Sequence, residues 1–99
     1  MNTAIIIVNF NDEDETISYV EKINKYKVLN RIIVVDNKST TIGAFNKLQE
    51  LEKIDKKITV IETEKNGGYS YGNNFGVRYL EKEGKRSNHK FQNWGIRNV

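Results

Sequence analysis

Residues 31–39 read R-I-I-V-V-D-N-K-S, and this stretch decides the fold. Four consecutive β-branched apolar residues, at positions 32–35, end abruptly at Asp36 and Asn37. A short apolar run bounded by polar residues is typical of a strand that is buried on both faces. Asp36 then lies at the carboxyl end of the strand, which is where open α/β sheets bind their ligands.

Two further apolar runs predict two more strands, at residues 4–8 (A-I-I-I-V) and 58–61 (I-T-V-I). Helical spacing of apolar residues between the runs predicts a helix to about residue 26 and a second one with a buried stripe at positions 45, 48 and 51. Strands joined through helices are parallel, with right-handed crossovers. The sequence therefore predicts an α/β fold with three α/β/α layers around a mostly parallel sheet.

Polar residues before each helical pattern predict helix caps. Asp12 precedes the first helix, and Glu15 three residues later completes the spacing of a capping box. Ser39, Thr40 or Thr41 is predicted to cap the second helix.

The segment N-G-G-Y-S-Y-G-N-N-F-G, at residues 66–76, is the most distinctive part of the chain. Asn-Gly-Gly predicts a loop, and a third helix is predicted from Ser70 onward. Gly72 and Gly76 would share one face of that helix, although each glycine costs about 1 kcal/mol relative to alanine. We therefore expect the helix backbone to approach either a strand or a ligand closely there.

The length of 99 residues indicates one domain or part of a larger domain. The net charge is +3. Without cysteine, a signal-peptide pattern or a long apolar run, a cytoplasmic location is predicted. No acidic residue follows Glu83, and no fourth buried strand is visible. Residues 84–99 are predicted to form a basic tail, either a disordered end or an edge element, with positive charges at Lys85, Arg86, Lys90 and Arg97.

Two patterns bear on phosphate and metal chemistry. The segment after the first strand has no G-x-G-x-x-G pattern, which disfavours a Rossmann dinucleotide site. Asp12-Glu13-Asp14 matches D-x-D, and paired carboxylates can hold a hard cation against a diphosphate. Because the triplet opens a helix, capping explains it without a ligand.

Asp36 has two interpretations that spacing alone leaves open. A carboxylate at the end of a strand can accept a hydrogen bond from the imide N–H of a pyrimidine base. It can equally be the first polar residue after a buried strand.

Three motifs occur together in order: I-I-I-V-N-F-N at residues 5–11, V-V-D-N-K-S at residues 34–39, and the glycine-rich segment at residues 66–76. This ordered set resembles the amino-terminal half of a family 2 glycosyltransferase with the GT-A fold. The most similar branch is the rhamnosyltransferase-like one, which builds bacterial surface polysaccharides. The resemblance covers about residues 3–80.

The resemblance implies a UDP-sugar or dTDP-sugar as donor and a nucleotide-sugar-binding half-domain at residues 1–83. Asp36 would then hydrogen-bond the base, with Asn37 beside it. The other nucleotide-binding residues that it implies are Asn9, Phe10 and Asn11 in the base pocket, and Asn66, Gly67, Gly68 and the following segment through Asn74 around the nucleoside.

The chain departs from the family pattern after residue 83. In the family, a fourth strand ends in the D-x-D that binds Mg²⁺ or Mn²⁺, and a later carboxylate is the catalytic base. Neither is visible here, so the resemblance implies a truncated transferase that is inactive alone, has no catalytic residue and binds no metal cofactor.

The expected partner is the donor sugar nucleotide, and nucleic acid is not expected. The sequence leaves peripheral membrane association and formation of a homo-oligomer open. A halved sheet leaves an unpaired hydrophobic edge, which favours self-association. The alternative function is therefore a non-catalytic α/β interaction module that self-associates.

Overall fold

The computed structural model describes residues 3–87 and 93–99. Four strands alternate with helices along the chain. The elements are β1 Thr3–Asn9, α1 Glu13–Ile23, β2 Arg31–Asp36, α2 Ala44–Gln49 with a following 3₁₀ turn Glu50–Lys53, β3 Ile58–Glu62, α3 Gly68–Ser87 and β4 Asn93–Asn98.

The strands form one sheet in the order β3-β2-β1-β4, and every neighbouring pair is parallel. The three predicted strands are confirmed, each one or two residues longer than its apolar run. The α/β fold with a parallel sheet is confirmed as well.

The helices cover both faces of the sheet, as the direction of the chain requires. The chain moves from β1 to β2 to β3 in one direction and returns from β3 to β4 across the sheet. Crossovers of one hand place helices on opposite faces when the direction of travel reverses. Accordingly α1 and α2 pack on one face, whereas α3 packs on the other.

Two hydrophobic cores result, one on each face, because alternate residues of the buried strands point to opposite sides. The core under α1 and α2 contains Ile7, Val20, Ile23, Ile32, Val34, Leu48, Leu51, Ile58 and Val60. The core under α3 contains Ala4, Ile6, Val8, Ile33, Val35 and Leu80.

The two glycines of α3 lie directly against the sheet. A Cβ atom added at Gly72 would stand 2.7 Å from Val8 Cγ1, and one at Gly76 would stand 2.5 Å from Ile6 Cγ2. The close approach that the glycine spacing predicts is therefore an approach to a strand, β1.

The cap predictions are confirmed only in the position of Asp12. Asp12 stands at the N-cap of α1 but its side chain makes no capping hydrogen bond, so the capping box with Glu15 does not form. The second helix begins after Gly43, which has a left-handed φ of 77° and no side-chain cap. The first helix also ends earlier than predicted, at Ile23.

The tail contains the remaining strand. Helix α3 continues past residue 83 to Ser87, so the boundary predicted there falls inside a helix. β4 then pairs in parallel with β1 as an edge element and is exposed at all six positions. Lys90 of the predicted basic tail lies outside the described residues.

Candidate functional site

Two polar side chains end adjacent strands at the carboxyl edge of the sheet. Asn9 of β1 and Asp36 of β2 are partners in the parallel register. Both are fully buried, with 0% of each residue exposed. Since parallel strands bring their carboxyl ends to the same edge, the order of the sheet places these two side chains together.

A hydrogen-bond network fixes the Asp36 carboxylate. The Ser39 hydroxyl donates to Asp36 Oδ1 at 2.5 Å, and Asn9 Nδ2 donates to the same oxygen at 3.3 Å. Thr16 of α1 donates its hydroxyl to Asn9 Oδ1 at 2.5 Å. Because Thr16 uses the carbonyl of the Asn9 amide, the amide nitrogen is directed at Asp36.

The second carboxylate oxygen of Asp36 has no partner among the described residues. Oδ2 is buried and accepts no hydrogen bond from any described residue. A buried acceptor without a donor costs free energy, and most buried polar atoms in folded proteins are paired. The unpaired oxygen therefore marks a position where an N–H or O–H donor would be stabilised.

Asn11 joins the segment after β1 to the segment after β2. Its Oδ1 accepts from the Thr40 and Thr41 amides at 2.8 and 3.1 Å, and its Nδ2 donates to Thr40 Oγ1 at 2.9 Å. The backbone N–H of Asn11 donates to Ser39 Oγ at 2.9 Å. Asn11 and Lys38 have positive φ angles of 53° and 57°, a conformation that is uncommon outside glycine and clusters at functional sites.

Asn37 anchors the glycine-rich segment that precedes α3. Its Nδ2 donates to the carbonyl oxygen of Gly68 at 2.8 Å and to Asn66 Oδ1 at 3.2 Å. Asn66 Oδ1 also accepts from the Gly68 amide at 3.0 Å. The Thr63 hydroxyl lies 3.2 Å from Asn37 Oδ1. The end of β2 therefore holds the turn between β3 and α3 in place.

The remaining sequence-predicted residues differ in position. Phe10 is half-buried beside Asn9, and Gly67 is exposed next to Asn66. Asn74 is exposed and lies two residues from both Gly72 and Gly76, which face the sheet. At 100° per residue it points away from the sheet, so the structure does not bring Asn74 together with the other residues.

Sequence reasoning missed the hydroxyl side chains of the network. Thr16, Ser39, Thr40, Thr41 and Thr63 all bond to a residue at the carboxyl edge. The residues at positions 39–41 were assigned to a helix cap because Ser and Thr before a helical pattern fit a cap equally well. No pattern singles out Thr16 or Thr63.

Residues 3–87 and 93–99 contain no group of three or more His, Cys, Asp or Glu side chains that could hold a metal ion. In the D-x-D match, Asp14 Oδ1 is 2.6 Å from Lys47 Nζ, and this hydrogen bond raises the pKa of Lys47. Asp14 of the D-x-D match is therefore paired with a lysine in this structure.

A surface groove of about 240 Å³ runs along α3. It is lined by Glu64, Tyr71, Phe75, Arg78, Tyr79 and Lys82. Of the residues that the resemblance implies for the nucleotide, only Tyr71, from the segment between Gly68 and Asn74, lines this groove. The carboxyl edge is thus characterised by its buried polar network and not by this groove.

Comparison with known families agrees with these motifs. Residues 4–83, about four fifths of the chain, match the family model described as "Glycosyl transferase family 2". No curated protein matches the chain significantly. In the part of the chain that the structure describes, none of the helices is both long and apolar enough to cross a membrane.

Proposed function

Because the chain belongs to glycosyl transferase family 2, we propose that the carboxyl edge of its sheet binds the nucleotide of a nucleotide-diphosphate-sugar donor. The observation that carries this proposal is the buried, unpaired Oδ2 of Asp36 at the end of β2. Ligands of open α/β sheets bind at this edge, and the polar side chains of β1 and β2 converge there.

Asp36 suits a pyrimidine base. Its Oδ1 already accepts from Ser39 and Asn9, so only Oδ2 is open to a further donor. Uracil and thymine each carry one imide N–H that can supply this hydrogen bond. The proposed donor is therefore a UDP-sugar or a dTDP-sugar, held by a charge-assisted hydrogen bond to Asp36.

Access to Asp36 requires a local rearrangement, because its side chain is fully buried. The segment after β2 begins with the exposed Lys38 at positive φ and is held by the side chain of Asn11. We propose that this segment shifts to admit the base. Phe10, Asn66 and the exposed glycines at positions 67 and 68 would then border the nucleoside, whereas Asn74 on the outer face of α3 is not part of the proposed site.

We also propose a family branch, a biosynthetic role and a location for the chain. The ordered motifs support a place in the rhamnosyltransferase-like branch and in the synthesis of bacterial surface polysaccharide. The absence of acidic side chains after Glu83 supports a chain that binds the donor but does not transfer sugar alone. A cytoplasmic location is part of the same proposal, supported by the lack of cysteine.

Titration calorimetry with UDP and dTDP, with and without Mn²⁺, tests the proposed function. We expect binding that does not depend on the metal, and we expect Asp36→Asn to weaken it at least tenfold. The amide in this variant keeps the size of the carboxylate but loses its charge and places a donor where the base also donates.

A matched control is available for that variant. Asp14→Asn makes the same chemical change at an exposed position on α1, and it should leave affinity unchanged with or without Mn²⁺. Equal binding by wild type and Asp36→Asn would refute the role of Asp36. No binding of either nucleotide by the folded wild-type chain would refute the function itself.

Exposed basic side chains on α3 support one further partner, an anionic membrane surface. They are Arg78, Lys82, Lys85 and Arg86. Basic helices are attracted to anionic lipid headgroups. Co-sedimentation with vesicles that contain phosphatidylserine should exceed that with phosphatidylcholine vesicles, and equal pelleting would contradict this association.

A self-associating interaction module is the second candidate function. It is favoured by Trp94 and Ile96 of β4, which are 50% and 40% exposed. Nucleotide titration and sedimentation separate the two candidates, because the first predicts ligand binding and the second predicts a change of mass with protein concentration.

A further inference from the structure

The outer strand β4 has an uncovered apolar face. Trp94 and Ile96 are register partners of Ala4 and Ile6, which belong to the core under α3, so all four side chains point to that face of the sheet. Helix α3 packs mainly on β1 and β2, and Trp94 and Ile96 remain 50% and 40% exposed.

The backbone of β4 is also open at its outer edge. In a parallel ladder, the N–H and C=O groups of alternate residues point to opposite sides of the strand. The Val99 amide donates to the carbonyl oxygen of Val8, so the odd-numbered positions of β4 face β1. Trp94, Ile96 and Asn98 therefore point their backbone groups outward, where no residue in 3–87 or 93–99 bonds to them.

At the opposite edge of the sheet, outward backbone amides of β3 are hydrogen-bonded within the chain. On β3, the outward amide of Val60 donates to Glu52 Oε2 at 2.8 Å, and that of Ile58 donates to the carbonyl oxygen of Asp55 at 3.1 Å. The chain therefore blocks pairing at β3 with its own groups. Natural proteins protect edge strands in this way against association, and no group within residues 3–87 and 93–99 protects the outer edge of β4.

Charge does not protect β4 either. Its one charged residue, Arg97, points to the opposite face and stacks on the ring of Tyr19, with 4.6 Å from Cζ to the ring centroid. The apolar face of the strand thus carries no charge that would repel another strand. Charged side chains on an edge are a common device against pairing, and here the apolar face has none.

We propose that β4 pairs antiparallel with β4 of a second copy of this chain, about a twofold axis at Gly95. A twofold interface uses the same surface on both copies, so the strand must complement itself. In this register Trp94 lies opposite Ile96 of the second copy, and Ile96 lies opposite its Trp94. The paired sheets would form one continuous sheet of eight strands.

The backbone restricts the possible registers. Only outward-facing residues can exchange hydrogen bonds, so an even-numbered position of β4 must lie opposite an even-numbered position of the second copy. An axis at Gly95 forms two Trp–Ile pairs, whereas an axis at Ile96 would set each Trp94 against Asn98. Aromatic and β-branched residues are favourable cross-strand partners, which selects the axis at Gly95.

The expected dimer is weak. A half-exposed tryptophan offers roughly 100 Å² of surface, because the whole side chain buries on the order of 150–250 Å². One strand with two such apolar side chains falls well short of the roughly 800 Å² per partner in a standard interface. Association should therefore depend on protein concentration. This geometry develops the second candidate function, and it holds whether or not the carboxyl edge of the sheet binds a nucleotide.

Sedimentation velocity over an about hundredfold range of protein concentration tests the pairing, because mass action favours the dimer as concentration rises. We expect wild type to move from monomer towards dimer and Ile96→Lys to remain monomeric. Ile42→Lys makes the same change at a fully exposed position away from β4 and should associate like wild type. A wild-type chain that stays monomeric throughout overturns the proposal.

A cysteine variant tests the register without weakening the strand. The chain has no cysteine, and a Cβ atom at Gly95 has no heavy atom within 4 Å. In the proposed register the two Gly95 residues form a non-hydrogen-bonded pair with Cα atoms about 4.5 Å apart, which a disulfide can span.

Gly95→Cys should therefore give a disulfide-linked dimer under mild oxidation, whereas Asn98→Cys, far from its own copy in this register, should not. Circular dichroism first establishes that each variant folds. Equal crosslinking of the two variants, or crosslinking of Asn98→Cys alone, overturns the register and with it the proposed interface.

Discussion

The backbone of α3 at Gly76 lies so close to Ile6 of β1 that a Cβ atom there would stand 2.5 Å from Ile6 Cγ2. Ile6 is fully buried and β-branched, so its side chain has little freedom to move aside. The glycine is therefore a packing requirement of the helix–sheet contact, and its cost in helix propensity is offset by the close packing.

We expect Gly76→Ala to lower the free energy of unfolding. Overpacking a core typically costs 1–3 kcal/mol, while the gain in helix propensity returns about 1 kcal/mol. The net loss, about 1 kcal/mol within a range of roughly 0–2 kcal/mol, should appear in urea unfolding followed by circular dichroism. Asn74→Ala, two residues earlier on the exposed face, should be neutral or slightly stabilising. Equal effects of the two substitutions would contradict the close contact.

Arg31 connects the start of β2 to α3 and to β3. Its guanidinium donates to both carboxylate oxygens of Glu83, at 2.6 and 2.7 Å, and to the carbonyl oxygen of Lys57 at 2.7 Å. Since the pair is largely shielded from water, Arg31→Lys should cost about 1–3 kcal/mol of unfolding free energy through loss of the planar fork.

The control for Arg31 is an exposed ion pair on the same chain. Lys53 and Glu50 lie three residues apart and are mostly exposed, so Glu50→Gln should change stability by less than about 0.5 kcal/mol. Chemical denaturation of both variants measures the difference. If Arg31→Lys is as mild as Glu50→Gln, the bidentate pair does not stabilise the fold.

Part of this architecture is predictable from sequence because buried parallel strands leave a strong signal. The apolar runs of β1, β2 and β3 are short, β-branched and sharply bounded, so their carboxyl ends and the placement of Asn9, Asp36 and Asn37 follow from the pattern. The glycines at 72 and 76 likewise predicted a close backbone approach, although spacing did not distinguish a strand from a ligand.

Other features give a weaker or ambiguous signal. β4 has no apolar run because it lies at an edge, and only the alternation of Trp94 and Ile96 indicates a strand. Ser39 and Thr40 were assigned to a cap because their partner Asn11 is about thirty positions away. Long-range side-chain pairing of this kind depends on how the strands align, which local sequence does not contain.

Asn11 should control the segment that follows β2. We expect Asn11→Ala to speed amide hydrogen exchange at Thr40 and Thr41, because its Oδ1 accepts from both amides. Asn11→Gly removes the same hydrogen bonds but tolerates the positive φ of 53°. The rate of amide hydrogen exchange at Thr40 and Thr41 should therefore rise in both variants. The free energy of unfolding should fall further in Asn11→Ala than in Asn11→Gly. Unchanged exchange in both would mean that Asn11 does not hold the segment.

Thr16 of α1 orients the side-chain amide of Asn9 through its hydroxyl group. Thr16→Val replaces only this hydroxyl by a methyl group. That substitution leaves the buried Asn9 Oδ1 without its donor, and an unpaired buried acceptor costs about 1–3 kcal/mol. Thr16→Ser keeps the hydroxyl and with it the hydrogen bond to Asn9, so its free energy of unfolding should fall less than that of Thr16→Val. The remaining loss reflects the missing methyl group. Thermal and urea unfolding of the two variants measure these effects. If valine proves as stable as wild type, Thr16 does not fix Asn9, and the amide is free to turn away from Asp36.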